Sequence, residues 1–216
     1  SDTNSKITMA IGTNNYNYQI PPSNDVTFNH GAAWATMVND VDAYLASNSG
    51  YSSRVIAAGA LNSEVDFNTP AATFDWIDGY ESVNQRPLYT ISDSSGCPQS
   101  VNTGISGTCN NGWTQEALYN LTKLPSFALP QQYATDGASA RQWQQIARYA
   151  SLAKGVDLDF KGALTQKQAC DQKGTCVANR RNTPSQGWLL FRDELNTDAL
   201  TYQNVFWSSD MKWQFP

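Results

Sequence analysis

Residues 54–68 read RVIAAGALNSEVDFN, and the rest of the chain is organised around this stretch. Val55 to Ala58 is an apolar run of strand type, passing through Gly59 into a polar loop that carries Asn62, Glu64 and Asp66. A helix-like stretch follows at once, with Thr69 as N-cap and Pro70 at the first helical position. Strand, polar loop and helix in that order make a βα unit. In α/β folds the loop leaving the carboxyl end of a strand is where chemistry is placed, so Glu64 and Asp66 are the first candidates.

The same rhythm continues outward from this unit. Ile7 to Ile11 reads as a first strand, opening at Gly12 into the loop Thr13 to Tyr18, which Pro21, Pro22, Asn24 and Asp25 prolong. A helix over 31–47 places Trp34, Val38, Val41 and Leu45 on one face. Pro87 to Ile91 forms a third strand that opens into Ser92 and Asp93, and Thr114 caps a helix carrying Leu118 and Leu121. Phe127 to Pro130 leads as a fourth strand to Gln131, Gln132 and Tyr133, followed by a helix over 138–154 that stops at Gly155. The alternation of Val156, Leu158 and Phe160 with Asp157, Asp159 and Lys161 predicts a fifth strand over 156–163. A polar loop from Leu164 to Thr183, a helix from Ser185 to Leu195 and an aromatic tail with Phe206, Trp207, Trp213 and Phe215 complete the chain.

This alternation predicts a single α/β domain over 1–216, built on a parallel sheet with helices outside. A (β/α) barrel of TIM type is favoured, short or irregular because eight units normally take about 250 residues. The alternative is an open parallel α/β sheet. The GxGxxG fingerprint and the P-loop are both absent, which removes the main support for a nucleotide enzyme of the open-sheet kind. No cofactor is expected.

Composition narrows the partners. Seven Trp and ten Tyr accompany only 15% charged residues, so neutral hydrogen-bonding groups stand beside flat rings, a surface suited to sugars rather than phosphates. A net charge of −5 with no Lys/Arg cluster beyond Arg180-Arg181 argues against nucleic acid. The four cysteines fall into two local pairs, Cys97 with Cys109 and Cys170 with Cys176, neither with CxxC spacing. One histidine in the chain leaves a Cys/His zinc site undersupplied, so two disulfides are expected, and with them export to an oxidising compartment. No stretch is long and apolar enough to span a bilayer, and 1–6 carry no leader pattern, so an exported chain would have lost its leader.

The strand ends supply the candidate site. Asn14, Asn15, Asn62, Glu64, Asp66, Asp93, Gln131, Gln132, Tyr133, Asp136 and Gln166 surround one mouth if the strands are parallel. Glu64 with Asp66 or Asp93 can provide the two carboxyl groups of glycoside hydrolysis, one a proton donor and one a base or nucleophile. Asn14, Asn62 and Gln131 can hydrogen-bond hydroxyls, and Tyr16, Tyr18, Tyr133 and Trp113 offer rings for stacking. His30 has no GxSxG elbow to serve, no EF-hand spacing is present, and no metal ligands are assigned.

Lys154-Gly-Val-Asp-Leu-Asp-Phe-Lys161 resembles the DGxDxDxE strand motif of the chitinase-type (family 18) glycoside hydrolases, which are (β/α)8 barrels. Gly155, Asp157 and Asp159 match, while Lys154 and Lys161 replace the first aspartate and the catalytic glutamate. The resemblance therefore implies a carbohydrate-directed barrel without that family's general acid. More broadly, the run of strand, polar Asn/Asp/Tyr loop and Trp-bearing helix with disulfide-closed loops is similar to secreted bacterial glycoside-hydrolase-like barrels. That likeness implies a polysaccharide or other glycan as partner, and a non-catalytic glycan-binding or cell-surface interaction domain as the alternative to an enzyme.

Overall fold

The computed structural model describes residues 5–16, 26–51, 54–123, 125–174 and 176–213. Tyr18, Pro21, Pro22, Asn24, Asp25 and Phe215 lie outside the described residues. The fold is mixed α/β. Strands β1 (Ile7–Asn14), β2 (Val55–Ser63), β3 (Leu88–Ser92) and β4 (Phe127–Pro130) form a parallel sheet in sequence order. Single bridges join Ala128 to Phe160 and Gln131 to Leu164, extending the order to β5 (Ala163–Thr165), which pairs in parallel with β6 (Ser208–Asp210). The winding does not reverse along this series. Because such crossovers are right-handed, helices between strands taken in this order fall on one face of the sheet. A closed barrel is not shown by these pairings.

The helices are α1 (Phe28–Ser47), α2 (Pro70–Val83), α3 (Gln115–Thr122), α4 (Ala138–Tyr149), α5 (Lys167–Lys173) and α6 (Pro184–Leu195). Thr69, Thr114 and Thr183 cap α2, α3 and α6 through their hydroxyls, and Gln186 completes a capping box with Thr183. A π-helical turn, Ala150–Lys154, continues α4 down to Gly155, whose φ of 66° ends it in the left-handed region. Two glycines let α1 and α2 touch backbone to backbone: a Cβ on Gly31 would overlap the Trp76 carbonyl, and one on Gly79 would overlap that of Phe28.

The core lies between the sheet and these helices. Ala57 and Leu61 of β2 pack beneath Ala35 and Val38 of α1 and beneath Trp76 and Tyr80 of α2, while Trp143, Phe160 and Phe191 form a second aromatic group. Buried Asp42 of α1 is fastened to the sheet by the Ala57 amide at 2.9 Å and paired with Arg86. Removing one partner would leave the other's charge or donor unmet.

Three sequence expectations need correction. The fifth strand does not run over 156–163. Its approach is stabilised instead by one side chain, Gln203, which accepts from the Phe160 amide and donates to the Leu158 carbonyl, both at 2.9 Å, leaving Val156 45% exposed. The polar loop after Thr165 contains the short helix α5, and the aromatic tail contains β6. Both disulfides form, closing loops of 12 and 6 residues' separation. Among the described residues no helix is long and apolar enough to cross a membrane.

Candidate functional site

Register decides which side chains meet. Asn14 pairs with Asn62 and Ser63 with Ser92, so Glu64 and Asp93, each one residue beyond its strand, stand level at the carboxyl edge. Ser92 pairs in turn with Pro130, which brings Gln131 to the same level. Glu64, Asp93 and Gln131 are thus neighbours because three parallel strands end together.

Each is held by its surroundings. Asn15, fully buried at the end of β1, accepts the Glu64 amide at 3.0 Å and donates to the Glu64 carbonyl at 3.2 Å and to Thr73 Oγ1 at 3.1 Å. That clamp fixes the backbone of the acid. Its carboxyl Oε1 faces the amides of Asn62 at 3.4 Å and Gln131 at 3.5 Å. Asp93 accepts the Val65 amide at 2.7 Å, the Ser95 amide at 3.1 Å and the Ser95 hydroxyl. Asp66 is exposed and receives Asn110 at 3.2 Å.

The electrostatics follow. Burial raises the Glu64 carboxyl above its ordinary value, the Asp93 charge adds to the rise, and the two amides oppose it. Asp93 is also raised by burial, against the hydrogen bonds from Ser95 and Val65 that favour its charged form. Both carboxyl groups are therefore raised, Asp93 with the fuller set of hydrogen bonds to its charged form. Burial, and then the charges of Glu64, Asp93 and Asp210, hold the Tyr133 hydroxyl well above its ordinary value, so it remains a donor.

A pocket of about 290 Å³ opens here, lined among others by Asp66, Asp93, Gln131, Tyr133, Gln142 and Arg180. A larger one, about 390 Å³, lies between α2 and α3 near the amino end of β4, where its acids Asp78 and Glu81 are exposed on α2. The smaller pocket is the better site, because it lies at the carboxyl ends of the strands and half-buried Asp93 lines it, beside the Glu64 loop.

Other sequence candidates fall in different places. Asn14 accepts the Tyr16 amide at 2.8 Å, and Tyr16 sets its ring edge-on to Phe67 at 5.1 Å, beside the Glu64 loop. Trp113 does not join the mouth. It is 1% exposed, donates to the Asn68 carbonyl at 2.8 Å and packs against Phe74, supporting the loop from below. Asp136 accepts the Ala138 amide at 3.0 Å in the turn that leads into α4. Gln132 is buried on the helix side, against Gly187 of α6, and Gln166 reaches the Arg180 carbonyl at 3.4 Å. Asp157 and Asp159 lie on exposed chain before β5, beside Lys123 and Ser126 at the amino end of the sheet. His30 lies edge-on to Trp34 and Trp76. No three His, Cys, Asp or Glu side chains among the described residues are grouped to hold a metal ion.

Sequence reasoning passed over Asn110, Asn111 and Arg180, which line or brace the mouth. Asn110 and Asn111 follow Cys109, and Asn111 bonds the Val65 carbonyl at 3.1 Å from a left-handed backbone with φ 49° that asparagine tolerates. Their closeness to a cysteine predicted to be bridged was the only signal. Comparison with protein-family models, with curated proteins and with solved structures finds no match for this chain.

Proposed function

We propose that this chain is an exported carbohydrate-active protein on a barrel-like scaffold, and that it hydrolyses a glycosidic bond with Glu64 as acid and Asp93 as its ionised partner. The observation that carries the reading is the level placement of these two half-buried carboxyl groups at the ends of adjacent parallel strands, with Glu64 raised by burial and by Asp93. Glu64 gives its proton to the leaving oxygen as the bond to the anomeric carbon breaks. Asp93 supports the positive charge that develops on the ring and takes the proton of the attacking water, or attacks the carbon itself. The anomer released first distinguishes these routes. Asp66, Asn62 and Gln131 supply acceptors and donors for hydroxyls, and the edge-on pair Tyr16 and Phe67 offers an aromatic wall. Two disulfides fit an oxidising compartment.

The test is release of new reducing ends from a panel of polysaccharides, peptidoglycan and chitin included, by the wild type beside Glu64→Gln. Release that the substitution abolishes supports the assignment. Binding to a polymer with no release from any would replace it with a glycan-binding domain.

A further inference from the structure

The floor of the mouth contains two buried polar atoms with no partner. Tyr133 is 7% exposed and Gln131 1%, yet among the described residues neither the Tyr133 hydroxyl nor Gln131 Oε1 makes a hydrogen bond, and both residues line the 290 Å³ pocket. A polar atom left so costs about 1–3 kcal/mol, and of the atoms in this state these two belong to residues that line the pocket. One is a donor and the other an acceptor, so a ligand that both accepts and donates would satisfy them, as a ring bearing hydroxyls does.

Another lining residue adds a charge. Arg180 stands between β5 and α6 in the segment that follows the Cys170–Cys176 bridge. Its carbonyl receives Gln166 at 3.4 Å, and its neighbours are tied to the end of β4 by the Thr135 amide to the Asn179 carbonyl at 2.8 Å and by Asn182 to the Ala134 carbonyl at 2.9 Å. The adjacent Arg181 is paired with Asp171, whereas Arg180 enters no ion pair among the described residues and lines the pocket. An exposed guanidinium with no ion pair among the described residues, on a fastened loop that lines the pocket, is available to one planar anion.

We propose that this pocket takes one ring of an acidic polysaccharide, a hexuronic acid, with Tyr133 and Gln131 reading its hydroxyls and Arg180 its carboxylate. The inference rests on the carbohydrate reading of the same mouth. A uronate carries a single negative charge, which Arg180 balances while the hydroxyls face Asp66 and Asp93. A phosphorylated sugar, with about −1.5 to −2 charges, would bring a second charge toward the same acids. The pocket lies at the lower end of the roughly 300–1,000 Å³ usual for small-ligand sites, which suits a ring or two rather than a long bound chain.

The experiment is calorimetric binding of short, length-matched oligomers of glucuronic acid, galacturonic acid, glucose and galactose to the full chain, with melting temperatures taken in parallel. The wild type is expected to bind one uronate series at least about tenfold tighter than its neutral parent, a difference of about 1.4 kcal/mol. Arg180→Gln should bring the two to parity. Tyr133→Phe should weaken both without lowering the melting temperature, because it removes an unpartnered hydroxyl. Equal binding of neutral and acidic oligomers, unchanged by Arg180→Gln, would overturn the uronate assignment and leave the carbohydrate reading standing. Loss of melting temperature in Tyr133→Phe with binding intact would overturn the floor. Failure of every oligomer to bind the wild type would overturn this inference, while the carbohydrate reading stands or falls on the wider polysaccharide panel.

Discussion

The side-chain amide of Gln131 donates to Asn62 Oδ1 at 2.8 Å although β3 lies between the strands that lead to them. Two strand spacings in a flat sheet amount to about 9–10 Å. The two side chains, joined by their hydrogen bond, span that gap across β3. The same amide also reaches Glu64 Oε1 at 3.5 Å, so one side chain ties together the ends of β2 and β4.

That amide tunes the acid. Gln131 favours the charged form of Glu64, so Gln131→Leu should push the Glu64 carboxyl further above its ordinary value. Nuclear magnetic resonance titration of the Glu64 side-chain carbon would show the midpoint moving to higher pH. A midpoint that moves down, or stays, would mean the amide does not act on this carboxyl.

Stability should depend on pH in a defined sense. Below the ordinary Glu value of 4.5 the carboxyl is protonated whether the chain is folded or not. As pH rises past that value the unfolded chain releases its proton while folded Glu64 keeps it, so the folded state loses stability until its own raised value is passed. Glu64→Gln should therefore gain melting temperature relative to the wild type as pH rises above about 4.5, and gain none below it. The opposite slope would place Glu64 among carboxylates stabilised by their partners.

How far these features were legible in sequence depended on whether the signal was local. Thr69-Pro70 and Thr183-Pro184 start helices through side chains acting within one turn, so the text carried them. The run from Val55 is continuous and apolar because a parallel strand under helices is buried, and its direction put Glu64 at the carboxyl edge. By contrast, Val156 to Lys161 alternates like a strand, but Gln203, far along the chain, takes up its backbone groups and the strand forms later. Ser208 to Asp210 has no apolar pattern and is a strand only through β5. Trp113 reads identically whether its ring lies above or beneath a polar loop. Arg180 gave only a charge, and its place over the pocket depends on the tertiary fastening of its loop.

Close helix contact gives a stability test away from the mouth. Alanine at Gly79 would raise helix propensity by about 1 kcal/mol. Its methyl would nevertheless meet the Phe28 carbonyl, which the Phe28 amide, bonded to Asp75 at 2.8 Å, helps hold in place. Overpacking should prevail, with a net loss of about 1–3 kcal/mol in urea unfolding. Unchanged or greater stability would show that α1 and α2 can part without cost.

The two disulfides should separate stability from recognition. On the chain-entropy model a bridge spanning 12 residues contributes about 3 kcal/mol and one spanning 6 about 2 kcal/mol. Cys97→Ser with Cys109→Ser should therefore cost more in urea unfolding, and by freeing Asn110 and Asn111 from Asp66 and the Val65 carbonyl it should loosen the wall that carries both acids. Cys170→Ser with Cys176→Ser should cost less stability, while the α5–α6 connection bearing Arg180 gains freedom. Hydrogen exchange of the amides of Val65 and Arg180 checks the division. Each amide should lose protection with its own bridge and keep it with the other, and loss of both with either bridge would mean the mouth unfolds as one unit.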